Sequence, residues 1–233
     1  MRKKVLAFTL IIVSLALLGN SQAAMGGIKL KDYPHSSQLK QLLSLNSPRQ
    51  LGEIFIVPLE PFDERDAAEM ISRVDHLPVS LLAKIEDEDI RVKLFTGKLT
   101  DNPTAQHLTG VIPRGYTGDT TWDDVPGIGG AKTVLVKIGF SEKGKGHGSV
   151  NLELHELAHS VDRHVYDGIR YNQKFLSVWK AEKAKLFPGH NYLLSFPEEY
   201  FAEAFAMYFA EGETRELLRE NAPKTYSFIK ELK

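Results

Sequence analysis

The chain has 233 residues, 42% of them hydrophobic and 25% charged, with 29 basic against 30 acidic side chains and no cysteine. This composition excludes a disordered or fibrous protein, and a chain of this length buries roughly 70% of its unfolded surface, so it needs neither disulfides nor a metal merely to fold. Balanced charge without a basic cluster excludes a nucleic-acid binder that works by neutralising phosphates.

Arg2, Lys3 and Lys4 precede an apolar run over residues 5–18, VLAFTLIIVSLALL, which is too short for a comfortable membrane span and suits the apolar region of a signal peptide. Ser21-Gln22-Ala23 supplies small residues where a signal peptidase reads, so residues 1–24 are expected to be removed, with cleavage after Ala23 or Ala24. The alternative is a retained N-terminal anchor. Loss of the three basic residues takes 29 down to 26 against 30 acidic, which leaves the mature chain at about −4. A secreted, extracellular protein with no membrane attachment after cleavage is expected. Without cysteine it must rely on its core rather than on disulfides.

Residues 25–50 mix Gly, Ser, Pro and Lys around Leu39, Leu42 and Leu43 and read as a flexible lead-in, with the folded domain spanning 51–233. EIFIVP at 53–58 has strand character. Asp63 then opens an acidic first turn, and Ala67, Met70, Ile71 and Val74 follow at helical spacing. Leu81, Leu82 and Ile85 suggest a short second helix. Residues 90–95 and 133–138 alternate apolar and polar side chains as half-buried strands do, and the Gly-, Pro- and Asp-rich stretch 102–130 between them reads as irregular. From residue 150 onward the pattern is helical: 150–164, 172–186, 196–210 and two short helices before Lys233. Strands early and helices late predict an α+β fold, one domain with a small mixed sheet and a mainly helical C-terminal half.

Residues 155–159 read His-Glu-Leu-Ala-His. Positions four apart on a helix share a face, so His155 and His159 can direct imidazole nitrogens at a single Zn²⁺, with Glu156 beside them to take a proton from water at the metal. The surrounding apolar run, Val150, Leu152, Leu154, Leu157, Ala158 and Val161, makes two unpartnered histidines costly. A catalytic zinc site takes three protein ligands. The extended motif with Gly and His at positions 162 and 165 is excluded by Asp162 and Val165. The third ligand therefore comes from a later helix. In FPEEYFAEAFAMYF, Ser195 looks like the N-cap and Glu198 like its capping-box partner, whereas Glu199 and Glu203 share a face one turn apart. Glu199 is assigned to the metal and Glu203 to holding the other N–H of a ligating imidazole.

HELAHSVD, followed by NYLLSFPEEYFAEAF, together with KLFTGKLTD, TWDDVPGIGG, GFSEKGKGH and APKTYSFI, resembles the secreted bacterial Pro-Pro endopeptidases and, more distantly, the catalytic domain of anthrax lethal factor. The resemblance implies a single zincin-like metalloprotease domain with one Zn²⁺ per chain. It implies His155, His159 and Glu199 as ligands, Glu156 as catalytic base and Tyr192 as a catalytic hydroxyl directed at the developing oxyanion. It also sets Trp122 in the segment that shapes the substrate cleft, where an aromatic face can pack on proline rings. Relatives can carry a basic residue two positions before this Trp, where this chain has Thr120.

The implied reaction is hydrolysis of an internal peptide bond between two prolines, in a proline-rich bacterial surface or adhesion protein, by a monomeric enzyme. Preference for proline rests on the resemblance alone. The rival expectations are an endopeptidase of broader or toxin-like specificity and a metalloprotease-fold binding module without activity.

Overall fold

The computed structural model describes residues 26–115 and 118–232, and the segment read as a signal peptide lies outside them. Five strands form one mixed sheet: β1 (Ile28–Lys29), β2 (Phe55–Val57), β3 (Arg91–Phe95), β4 (Gly127–Ile128) and β5 (Thr133–Lys137), in the spatial order β1-β2-β3-β5-β4. Strands β2, β3 and β5 are parallel, with Val92 opposite both Phe55 and Val134, while β1 and β4 pair antiparallel at the two edges. The α-helices are α1 (Gln38–Leu42), α2 (Pro48–Ile54), α3 (Glu64–Val74), α4 (Val79–Asp87), α5 (Leu152–Ser160), α6 (Gln173–Leu186), α7 (Asn191–Ser195), α8 (Pro197–Phe209), α9 (Gly212–Asn221) and α10 (Pro223–Lys230). The α+β architecture with a helical C-terminal half agrees with the sequence pattern.

Alternation along β3 and β5 gives the sheet two faces. Val92, Leu94, Val134 and Val136 enter the main core with Met70, Ile71 and Val74 of α3, Leu81, Leu82 and Ile85 of α4, and Leu154 and Leu157 of α5. Phe95 and Leu135 point the other way and meet Leu99 and Ala105 in a smaller cluster. Helices cover the first face, and the irregular segment between β3 and β5 covers the second. Helix α3 begins where the Asp63 carboxylate accepts hydrogen bonds from the backbone N–H groups of Arg65 and Asp66.

Three expectations change. Residues 26–50 are not a flexible lead-in: β1 extends the sheet edge, Ser37 caps α1 through Lys40 N–H, and Leu30 and Leu39 are buried in the main core. The N–H groups of Asn46 and Ser47 also donate to the buried Asp75 carboxylate. The folded unit therefore starts well before residue 51. The strand expected at 53–58 is shortened to Phe55–Val57 because α2 runs through Ile54. Ser195 does not cap α8; it ends the separate short helix α7, and Phe196 occupies the cap position without a side-chain hydrogen bond.

Candidate metal centre

Helix α5 opens at Asn151, whose side chain accepts from the Leu154 N–H at 3.0 Å. Its apolar side, Leu154, Leu157 and Ala158, is fully buried, which turns His155, Glu156 and His159 toward the half-open side. At four-residue spacing the two imidazoles stand edge to face, with Nε2 of His155 and Nε2 of His159 3.3 Å apart. After Ser160 the helix widens into a π-type turn, Val161–Val165. The loop after β4 lies directly on α5. A Cβ at Gly129 would sit 1.9 Å from the Glu156 carbonyl oxygen, so only glycine allows this approach, and Ser160 Oγ accepts from Gly130 N–H and donates to the Ala131 carbonyl.

Glu199 arrives from α8, which packs along α5 and is held by the buried rings of Tyr200, Phe201, Phe205 and Phe209. Its Oε2 lies 3.6 Å from His155 Nε2 and 3.5 Å from His159 Nε2. Three ligand atoms held tetrahedrally about 2.0–2.1 Å from a zinc ion stand about 3.3–3.4 Å from one another, so this triangle has the size the ion requires. The donor set, two imidazoles and one carboxylate, also suits zinc and leaves a fourth position open.

The electrostatics favour positive charge at the centre of that triangle. Burial pulls the His155 imidazole down, yet hydrogen bonds to Glu199 and Glu203 and the charge of Glu156 push it up to about 10. Burial likewise opposes ionisation of Glu199, and the hydrogen bonds from His155 and His159 overcome it, holding the carboxylate below its ordinary range.

The remaining expected residues fall as follows. Glu203, one turn beyond Glu199, places Oε2 3.0 Å from His155 Nδ1, and its Oε1 accepts from the Val150 N–H at 2.9 Å. Glu156 is half-buried, its Cγ next to Gly127 of edge strand β4, a strand within the stretch read as irregular. Tyr192, on α7, is 36% exposed and donates its hydroxyl to Glu199 Oε1 at 2.9 Å. Burial and the Glu199 charge push the phenol up to about 12, against the pull of Arg114. Trp122 is half-buried against the Phe95, Leu99, Ala105 and Leu135 cluster, which pins the irregular segment, and Thr120 is exposed.

Arg114 is a member of this site that its sequence context conceals. It stands between Pro113 and Gly115 in a stretch without periodicity, and its guanidinium donates to Glu198 Oε1 at 3.2 Å and Glu199 Oε1 at 3.3 Å while lying 4.2 Å from the Phe196 ring centroid. Glu198 therefore pairs with this arginine instead of completing a capping box, because Ser195 is not the cap. Asp162 is fully buried, accepts from the Arg170 backbone N–H at 2.9 Å, and pairs with the Arg170 guanidinium at 2.5 Å. Arg170 in turn comes within 3.9 Å of Glu198.

Residues 43–232 match the family model described as anthrax toxin lethal factor, N- and C-terminal domain. A Pro-Pro endopeptidase of Clostridioides difficile (strain 630) is 40% identical over 183 residues, covering 78% of this chain and 82% of that protein. A Pro-Pro endopeptidase of Paenibacillus alvei is 38% identical over 183 residues, covering 78% of this chain and 84% of the relative. The solved structure of the Pro-Pro endopeptidase PPEP-2 from Paenibacillus alvei superimposes with a TM-score of 0.75 at 38% identity, over 79% of this chain and 100% of that one.

Proposed function

The chain belongs to the lethal factor family, among its Pro-Pro endopeptidases, and from that membership we propose that it is a zinc-dependent endopeptidase that cleaves between two prolines. The observation that carries the zinc assignment is the triangle of His155 Nε2, His159 Nε2 and Glu199 Oε2, with sides of 3.3 to 3.6 Å. The proline preference is supported by the relatives' activity.

His155, His159 and Glu199 would hold the ion, and Glu203 would fix the tautomer of His155 by accepting from Nδ1. An ion held there would supply a Lewis acid for the scissile carbonyl and lower the pKa of water toward neutrality. Glu156 takes the proton of the attacking water and passes it to the leaving nitrogen. Tyr192 turns its hydroxyl from Glu199 to the developing oxyanion, an interaction made in the transition state more than in the ground state. An extended proline-rich peptide loses little entropy on docking, and β4, an edge strand beside Glu156, offers it backbone groups. Trp122 supplies an aromatic face for proline rings.

The basic start and apolar run over residues 2–18 support export, and a proline-rich surface or adhesion protein is the substrate class this reading favours. Among the described residues no helix is long and apolar enough to cross a membrane. Metal analysis of the purified mature chain, together with cleavage of matched peptides with and without a Pro-Pro pair, tests the proposal. One equivalent of zinc and cleavage confined to the paired-proline peptides is the expected result; cleavage indifferent to proline overturns the specificity, and a protein without zinc overturns the chemistry.

A further inference from the structure

The two oxygens of Glu199 are divided. Oε2 faces the imidazoles, whereas Oε1 is turned away and engaged twice, by the Tyr192 hydroxyl at 2.9 Å and by Arg114 at 3.3 Å. Tyr192 cannot serve both Glu199 and a developing oxyanion at once, so during turnover Oε1 loses one of its two partners. A carboxylate with a free second oxygen can rotate to bind a metal through both, which would fill the position water and substrate need.

We propose that Arg114 is a positioning residue that keeps Glu199 a one-oxygen ligand while Tyr192 is away at the substrate. This rests on the metal-centre reading above. The guanidinium is suited to the task although its side chain is 56% exposed, because several contacts fix it. Its planar face lies 4.2 Å from the Phe196 ring centroid, and the nitrogen that reaches Glu199 also reaches Glu198. Glu198 is backed by Arg170, and Arg170 by the buried Asp162 in the π-type turn that continues α5. A row of alternating charges thus runs from the helix of the two histidines to the far oxygen of the third ligand. Arginine suits the place better than lysine, since a flat guanidinium can lie on the Phe196 ring while one of its nitrogens donates to both carboxylates.

The test compares wild type with Arg114→Met and Arg114→Lys, each loaded with Zn²⁺ for affinity by chelator competition and kinetics, and with Co²⁺ for visible absorption, whose bands weaken when a four-coordinate site becomes five-coordinate. Arg114→Met is expected to weaken the cobalt bands, to change zinc affinity, and to lower kcat about 10–100-fold with little change in KM, as loss of a group that orients a metal ligand does. Arg114→Lys should fall between the two. Wild-type cobalt bands and zinc affinity in Arg114→Met overturn the proposal, as does a loss confined to KM, which would make Arg114 a substrate contact. Failure of wild type itself to take up either metal overturns the metal-centre reading and the inference with it.

Discussion

Oε2 of Glu203 lies 3.0 Å from Nδ1 of His155, and the other oxygen of the same carboxylate accepts from the Val150 N–H just ahead of α5. One buried side chain on α8 therefore fixes the ring orientation of a residue on α5 and clamps the start of that helix. Burial works against its charge, and the bond from His155 outweighs burial and keeps its pKa lowered. Glu203→Ala should reduce zinc affinity about 10–100-fold by chelator competition, and Glu203→Gln, which keeps an acceptor, should lose less. Equal zinc affinity in wild type and the alanine variant would remove this role from Glu203.

Glu156 is not one of the three side chains that could hold the ion, so its removal separates chemistry from metal binding. Glu156→Ala should retain a full equivalent of zinc and lower peptide cleavage by about 10²–10⁴-fold. A variant that loses its zinc along with its activity would show that Glu156 supports the site rather than moving a proton.

Tyr192 is tied to Glu199 at 2.9 Å, a contact that a phenylalanine deletes while keeping the ring. Tyr192→Phe should lower kcat about 10²–10³-fold with KM nearly unchanged, the signature of a donor used in the transition state. An unchanged rate would leave the ring only a packing role against Phe196.

Gly129 has no room for a side chain, since an added Cβ would lie 1.9 Å from the Glu156 carbonyl oxygen. Gly129→Ala must push β4 off α5, at a cost of about 1–3 kcal/mol, with a fall of several degrees in Tm. Gly148→Ala, where nothing lies within 4 Å, is the matched control and should melt with wild type. Coincident melting of the Gly129 variant would mean that the loop yields freely.

Asp123 accepts hydrogen bonds from the Gly110 N–H and from the hydroxyls of Thr100 and Thr121, and these pull its carboxyl from the ordinary 3.8 down to about 2. A depressed carboxyl contributes stability that is complete above the unfolded value and is lost as pH falls through the folded one. The segment around Trp122 should therefore hold its conformation below pH 3.8 and loosen as pH approaches about 2. Fluorescence of Trp122 in a Trp179→Phe background reports this, and Asp123→Asn should remove the dependence. A transition centred at or above 3.8 would contradict the anchoring.

Periodicity made part of the molecule legible. The spacing of His155 and His159, and of Glu199 and Glu203, is set by the helix itself, so four positions near the centre followed from counting residues. Strands β3 and β5 were likewise visible from the alternation of side chains along them, although both faces are covered rather than one, the second by the small cluster of Phe95, Leu99, Ala105 and Leu135. Leu30 and Leu39 were hidden for the opposite reason: Leu30 stands alone, Leu39 belongs to a patch with Leu42 and Leu43 too short to carry a period, and no local pattern announces their burial. Arg114 and Asp162 are known only through what they pair with, across 85 residues to Glu199 in one case and across the π-type turn in the other. Helix α7 is a five-residue turn, too brief to carry a period, and its presence moves the cap of α8 away from Ser195.

Glu199 reaches its place because four aromatic rings of α8 are sunk in the interior, and His155 and His159 because the opposite flank of α5 is. The cage is thus assembled by oil-like forces that owe nothing to the ion. Zinc fingers collapse when stripped, but this enzyme should survive chelation with its architecture intact and regain activity on simple resupply. A chain built in this way can fold first and take up its ion afterwards.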